Sequence, residues 1–249
     1  MPPASALDPG AGTTLICYAH DGRERWRFIP GREVRTVAET FLPPFRALRF
    51  VVARLGKDHA VRIVVTSQHY LYYPCQVALL ARDGTLLREY WHSGGLPHVL
   101  IDHGRIILAG VHNATKTATL VALNPDTMTG ASIEENPSYQ LQGFSPGQEL
   151  ARLFFPRRCM NTLLEPFVSV ARLWTEPGEI VLETEHHGRL GGAAVFYHLN
   201  ADLTLKNYSV GSSFEHTHNE LHATHVLDHD LTPKERAALA VITYEHTRW

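Results

Sequence analysis

Short apolar runs separated by turn signals recur along most of the chain. VRIVV (61–65), QVALL (76–80), RIILAG (105–110), ATLVAL (118–123), EIVLE (179–183) and AVFYHL (194–199) are β-branched or aromatic and are bounded by Gly, Asp, Asn or Pro. That length and that punctuation predict strands. A helical period arises only near the end. There LTPKERAALAVI (231–242) places Thr232 as N-cap, Pro233 at the first helical position and Glu235 at the capping-box position. One short C-terminal helix over about 232–242 is expected, with a last strand around 241–245. Residues 1–12, rich in Pro, Ala and Gly, read as a flexible tail, and 13–249 as a single domain.

The strand pattern repeats. ICYAHDGRERWRF (16–28) is an apolar strand, an Asp-Gly turn and a second strand carrying Trp26. VALLARDGTLLREYW (77–91) has the same layout, with Asp83-Gly84 at the turn and Trp91 in the second strand. Degenerate copies follow in LVALNPDTMTGAS (120–132) and VFYHLNADLTLKNYSV (195–210), each with a longer turn. Asp-Gly is a strong hairpin signal, and hairpins repeated in this way indicate modular antiparallel sheets.

The units at 16–28 and 77–91 resemble the outer hairpin of blades in the PQQ-type and FG-GAP-type β-propeller repeats. The matching inner hairpins would be 50–65, 98–110 and 168–183. The resemblance implies an all-β, propeller-like array of about four four-stranded antiparallel blades, incomplete at one end, with the stretch after 211 completing the first. A β-sandwich is the competing architecture. FG-GAP repeats often bind calcium at an acidic inner turn. The corresponding turns here, LGKDHA (55–60) and LIDHGR (100–105), hold one acidic residue each, too few for a cation that needs about six oxygen ligands.

Composition narrows the function classes. The chain has 249 residues and a net charge of −2, so no basic field points to nucleic acid or to an anionic membrane. No apolar run approaches the roughly 18 residues needed to span a bilayer. The start shows neither a basic nor an apolar run, so no signal peptide and a cytoplasmic location are expected. Cys17, Cys75 and Cys159 are too far apart for a metal-ligand pair and too few for a disulfide framework. The unusual count is 16 histidines.

Five of them fall in FEHTHNELHATHVLDHD (214–230). Neutral imidazoles suit zinc or copper, and a His-x-His pair on a strand shares one face, so His216, His218 and His222 are candidate metal ligands. The competing reading is a solvated loop whose histidines share no task.

A second group could meet where propeller loops converge. His69, His92 and His112 are its candidate acid–base or metal residues, and Tyr70, Tyr72, Tyr73, Trp91 and Asn113 a ligand-binding surface. Blades also use such residues in their own cores. Glu183 and Glu185, two apart on one strand, form a candidate carboxylate pair, although an exposed strand face would place them the same way. Arg157 is a candidate clamp for an anionic ligand, while an arginine of the Arg157-Arg158 pair could equally bond strand-end carbonyls. Cys159 has no partner legible from spacing.

Two functions fit these residues. One is a binding or interaction module presenting a propeller face to a small polar ligand, a sugar or a protein, including a second copy of the chain. The other is a glycoside or ester hydrolase, metal-assisted or not.

Overall fold

A computed structural model describes residues 12–69, 73–162, 167–186 and 192–245. The N-terminal tail up to residue 11 lies outside the described residues. Strands dominate, sheets are antiparallel, and the all-β class is met. No helix among the described residues is long and apolar enough to cross a membrane. The chain divides into two compact units. The first runs to Ile106 and includes Leu123–Gln148; the second comprises Ile107–Ala122 and Glu149 onward.

In the first unit, β1 (Leu15–Tyr18) and β2 (Glu24–Phe28) form a hairpin, followed by the short pair β3 (Val34–Arg35) and β4 (Thr40–Phe41). A four-stranded meander comes next: β5 (Phe45–Leu55), β6 (Ala60–His69), β7 (Cys75–Ala81) and β8 (Leu86–His92), paired in chain order. β9 (His98–Asp102) then leads through the His103-Gly104 turn. The Asp-Gly turns stand where the sequence put them, at Asp21-Gly22 and Asp83-Gly84. Only the glycines take positive φ there, +82° and +86°, so each turn is a longer hairpin loop with a left-handed glycine and a neighbouring bulge.

The β1–β2 hairpin is a lid on the meander. Leu15, Trp26 and Phe28 pack on Ile63, Val65, Ala78 and Leu80. Gly84 matters for this contact, because a Cβ there would lie 2.6 Å from the Trp26 ring. A second cluster joins Val34, Phe41, Phe45, Trp91, Ala131 and Leu141. It is held in part by the Trp91 N–H donating to the Gly130 carbonyl at 2.9 Å.

The second unit holds β10 (Arg105–His112) and β11 (Thr117–Leu123) except for their outermost residues, then β12 (Glu149–Phe154). A 3-10 turn, Cys159–Thr162, precedes a second meander of β13 (Val168–Glu176), β14 (Glu179–His186), β15 (Val195–Asn200) and β16 (Leu205–Val210). Helices α1 (Ser212–Ala223) and α2 (Pro233–Ala238) follow, and β17 (Thr243–Glu245) closes the chain against β12. The order in that sheet is β17-β12-β11-β10.

Two expectations change. The strand after ATLVAL does not return within 120–132: residues 124–148 join the first unit, and β12 takes the expected place beside β11. The left-handed Gly130 and the pairing of Ala131 with Trp91 divert the chain. A second helix, α1, occupies the segment read as strand or loop. Its buried residues Phe214, Thr217, His218 and Leu221 follow a helical i, i+3, i+4, i+7 stripe. Helix α2 keeps the anticipated cap but ends at Ala238.

Candidate metal centre

Three elements of the second unit bring a thiol, an imidazole and a carboxylate together. Cys159 opens the 3-10 turn. The turn is fixed just upstream, where the Arg158 N–H donates to Asn161 Oδ1 at 2.6 Å and the buried Arg158 guanidinium donates to Thr184 O and to Thr184 Oγ1 at 2.9 and 2.7 Å. It also donates to the Ala193 carbonyl. His218 comes from the buried stripe of α1 and is 0% exposed. Glu235 is the N3 residue of α2, and its Oε2 accepts from the Thr232 N–H and hydroxyl at 2.9 and 2.8 Å. The capping box thus spends one oxygen and aims the other inward.

The donor atoms of Cys159, His218 and Glu235 all lie within 4.8 Å of one another. Glu235 Oε1 is 4.0 Å from His218 Nε2 and 3.0 Å from His229 Nε2. The far side of the His229 ring is held in turn, with Nδ1 2.6 Å from Asp228 Oδ1. Neither ring nitrogen of His218 has a hydrogen-bond partner among the described residues. A buried polar atom without a partner costs about 1–3 kcal/mol, so this arrangement needs a reason.

Electrostatics supply one. Burial, and then the Glu235 carboxylate beside it, push the Cys159 thiol up to about 11. Burial also favours protonation of Glu235, yet hydrogen bonds from His229, from the Thr232 backbone and hydroxyl, and from the Cys159 thiol hold it at about 2. Burial depresses His218, so it stays neutral and can ligate. The bonds to Asp228 and then to Glu235 raise His229 to about 9. A thiol with a raised pKa is a poor nucleophile, which argues against cysteine-hydrolase chemistry. A dication would change the balance: it would favour the thiolate, pair with the carboxylate and engage the imidazole together.

These shifts define a pH window for the metal-free protein. Glu235, lowered from 4.5, stabilises the fold fully above that value and loses its contribution as acid carries it through about 2. His229, raised from 6.5, contributes fully below that value and fades as the pH rises through about 9. The 228–235 segment is therefore expected to be most protected between about pH 4.5 and 6.5. Amide exchange at Glu235 measures this, and His229→Gln should flatten the alkaline limb.

No family model matches this chain, and no curated protein matches it either. The residues themselves carry the assignment.

Of the predicted metal ligands, only His218 stands in this centre. His216 is exposed, 3.3 Å from Glu220, and the ring of His222 meets Asp230 at 2.7 Å. The pairing of His216 with His218 presupposed a strand. On a helix, residues two apart are turned by about 200°, so the two rings leave opposite sides.

The other candidates are not gathered in this centre. His69, in the first unit, has Nε2 3.2 Å from the Leu42 carbonyl and packs edge-on to Phe41 and Phe45. His92, also in the first unit, is buried and accepts the Gly94 N–H at 3.0 Å. His112 belongs to the second unit, 2.8 Å from Thr115 Oγ1 and edge-on to Phe154. Trp91 is fully buried against Phe45 and Phe144, a core position rather than a ligand face. Tyr73 is half-buried beside Phe41 and Tyr139; Tyr70 and Tyr72 lie outside the described residues. Asn113 is buried and Arg157 exposed. The carbonyl-bonding role belongs to Arg158. Glu183 and Glu185 do share a face of β14, alternating with buried Thr184 and His186, and Glu183 pairs with Arg172.

Sequence reasoning missed Cys159 and Glu235 as members of this site. In the sequence Glu235 reads only as a cap, and nothing in the spacing links Cys159 to α1.

Proposed function

We propose that this chain is a binding protein whose ligand is a transition-metal dication, Zn²⁺, held by Cys159, His218 and Glu235. The observation that carries this reading is the fully buried His218, whose two ring nitrogens have no hydrogen-bond partner among the described residues, facing a thiol and a carboxylate. Mixed sulfur, nitrogen and oxygen ligation suits zinc, which takes four such donors tetrahedrally at about 2.0–2.3 Å. Ligand atoms around such an ion are spaced by about 3.3–3.8 Å. With the donors within 4.8 Å of one another, a contraction of at most about 1–1.5 Å reaches that spacing. One thiolate and one carboxylate neutralise the dication, which favours a site beside a fully buried imidazole.

His229 stands outside this ligand set, with Nε2 donating to Glu235 Oε1. Asp228 holds Nδ1, which leaves Nε2 directed at the shared carboxylate. Outer hydrogen bonds of this kind orient a ligating carboxylate, here Glu235. The repeat architecture is part of the same proposal: the two meanders, β5–β8 and β13–β16, have the strand order of propeller-type blades. The hydrolase reading draws no comparable support, since its three histidines each have local partners and divide between the two units.

Cobalt(II) titration of the purified chain tests the reading. A one-to-one complex with an intense thiolate-to-cobalt charge-transfer band is expected, lost in Cys159→Ser. A titration with no such band overturns it. Asp228→Asn should retain the band and weaken binding by about 10–100-fold.

A further inference from the structure

A groove of about 620 Å³ opens on the first unit, lined by Arg25, Trp26, Arg62, Ala81, Arg82 and Asp83. Three of its six lining residues are arginines, and they are not equivalent to the arginines around them. Along the same hairpin, Arg23 is paired with Asp21 at 2.8 Å and Arg27 with Glu24 at 2.7 Å. Arg25, between them in sequence, has no ion pair or side-chain hydrogen bond among the described residues, and neither does Arg82. Arg62 is held by Asp58 at 2.6 Å. Asp83, the one acid in the groove, turns Oδ1 to the Thr85 N–H at 3.1 Å, which directs its carboxylate into its own turn and lowers its pKa.

The groove is also rigid. Trp26 Nε1 donates to the Arg82 carbonyl at 3.0 Å, tying the β1–β2 hairpin to the β7–β8 turn. The same ring packs where Gly84 lacks a side chain, and the hairpin itself is seated on Ile63, Val65, Ala78 and Leu80. The backbones of Arg25 and Arg82 are therefore positioned before any ligand arrives, which lowers the ordering cost of binding.

We propose that this groove binds a small phosphate ester. Guanidinium forks match phosphate oxygens bidentately, and two of the three here are uncommitted. The volume lies within the range of about 300–1,000 Å³ typical of small-ligand sites, and Trp26 and Ala81 in the lining offer apolar contact to an organic body. This site lies in a different unit from the metal centre and does not depend on it.

Calorimetric titration of the full chain at low ionic strength tests the proposal. Glucose 6-phosphate, inorganic phosphate and glucose are the probes. Saturable binding of the ester is expected, tighter than that of inorganic phosphate, with no heat from glucose. Arg25→Gln combined with Arg82→Gln should weaken the ester by at least about tenfold, while Arg88→Gln, on an exposed arginine outside the groove, should leave it unchanged. Both changed residues are on the surface, so the double variant keeps the fold. No binding of the ester, binding of inorganic phosphate as tight as that of the ester, or an equal loss in Arg88→Gln each overturns the proposal.

Discussion

His218→Leu is expected to leave the metal-free protein at least as stable as the parent, by up to about 1–3 kcal/mol, while abolishing metal binding. His218 is fully buried and both of its ring nitrogens lack hydrogen-bond partners among the described residues. An apolar side chain of similar bulk removes that penalty and keeps the packing beside Phe214 and Leu221 on the α1 stripe. Core residues that cost stability without a ligand are the pattern of a functional site. With zinc at about 100 times its dissociation constant, the parent alone should gain about 2.7 kcal/mol. Thermal melts with and without zinc measure both effects. A clear loss of stability in the metal-free variant would mean that the imidazole is already satisfied in the fold.

Arg158→Leu should act in the opposite way, costing about 3 kcal/mol or more even without metal. The Arg158 guanidinium is buried and donates to Ala193 O, Thr184 O and Thr184 Oγ1, while its ring-stacked side rests 5.5 Å from Phe214. Burial lowers its pKa to about 10, still far above neutrality, so it stays charged. Leucine fills much of the volume but strands two carbonyls. Because the guanidinium anchors the residue next to Cys159 to the Ala193 and Thr184 carbonyls, metal affinity should fall as well. Denaturant unfolding gives the stability change, and a variant as stable as the parent would refute the structural role.

The hairpins were legible because their signals are local. Asp21-Gly22 and Asp83-Gly84 mark turns with few alternatives, and Thr232, Pro233 and Glu235 mark a helix start within four residues. Helix α1 was harder. Its buried face is Phe, Thr, His and Leu, so two of four positions register as polar although the spacing is helical. The return from β11 was illegible because an intervening segment pairs with Trp91 instead of its neighbour strand. The candidate metal centre was legible in one residue of three. His218 stood out in a histidine-rich segment, whereas Cys159 and Glu235 reach it only through the packing of a turn and two helices. Residues brought together by tertiary packing leave no periodic trace in the sequence.

The most direct test of the central claim is anomalous diffraction at the zinc edge from crystals grown with equimolar zinc. A single ion is predicted about 2.3 Å from Cys159 Sγ and about 2.0–2.2 Å from a His218 ring nitrogen and a Glu235 oxygen. An empty centre, with zinc found instead on exposed His216 and Glu220, would contradict it.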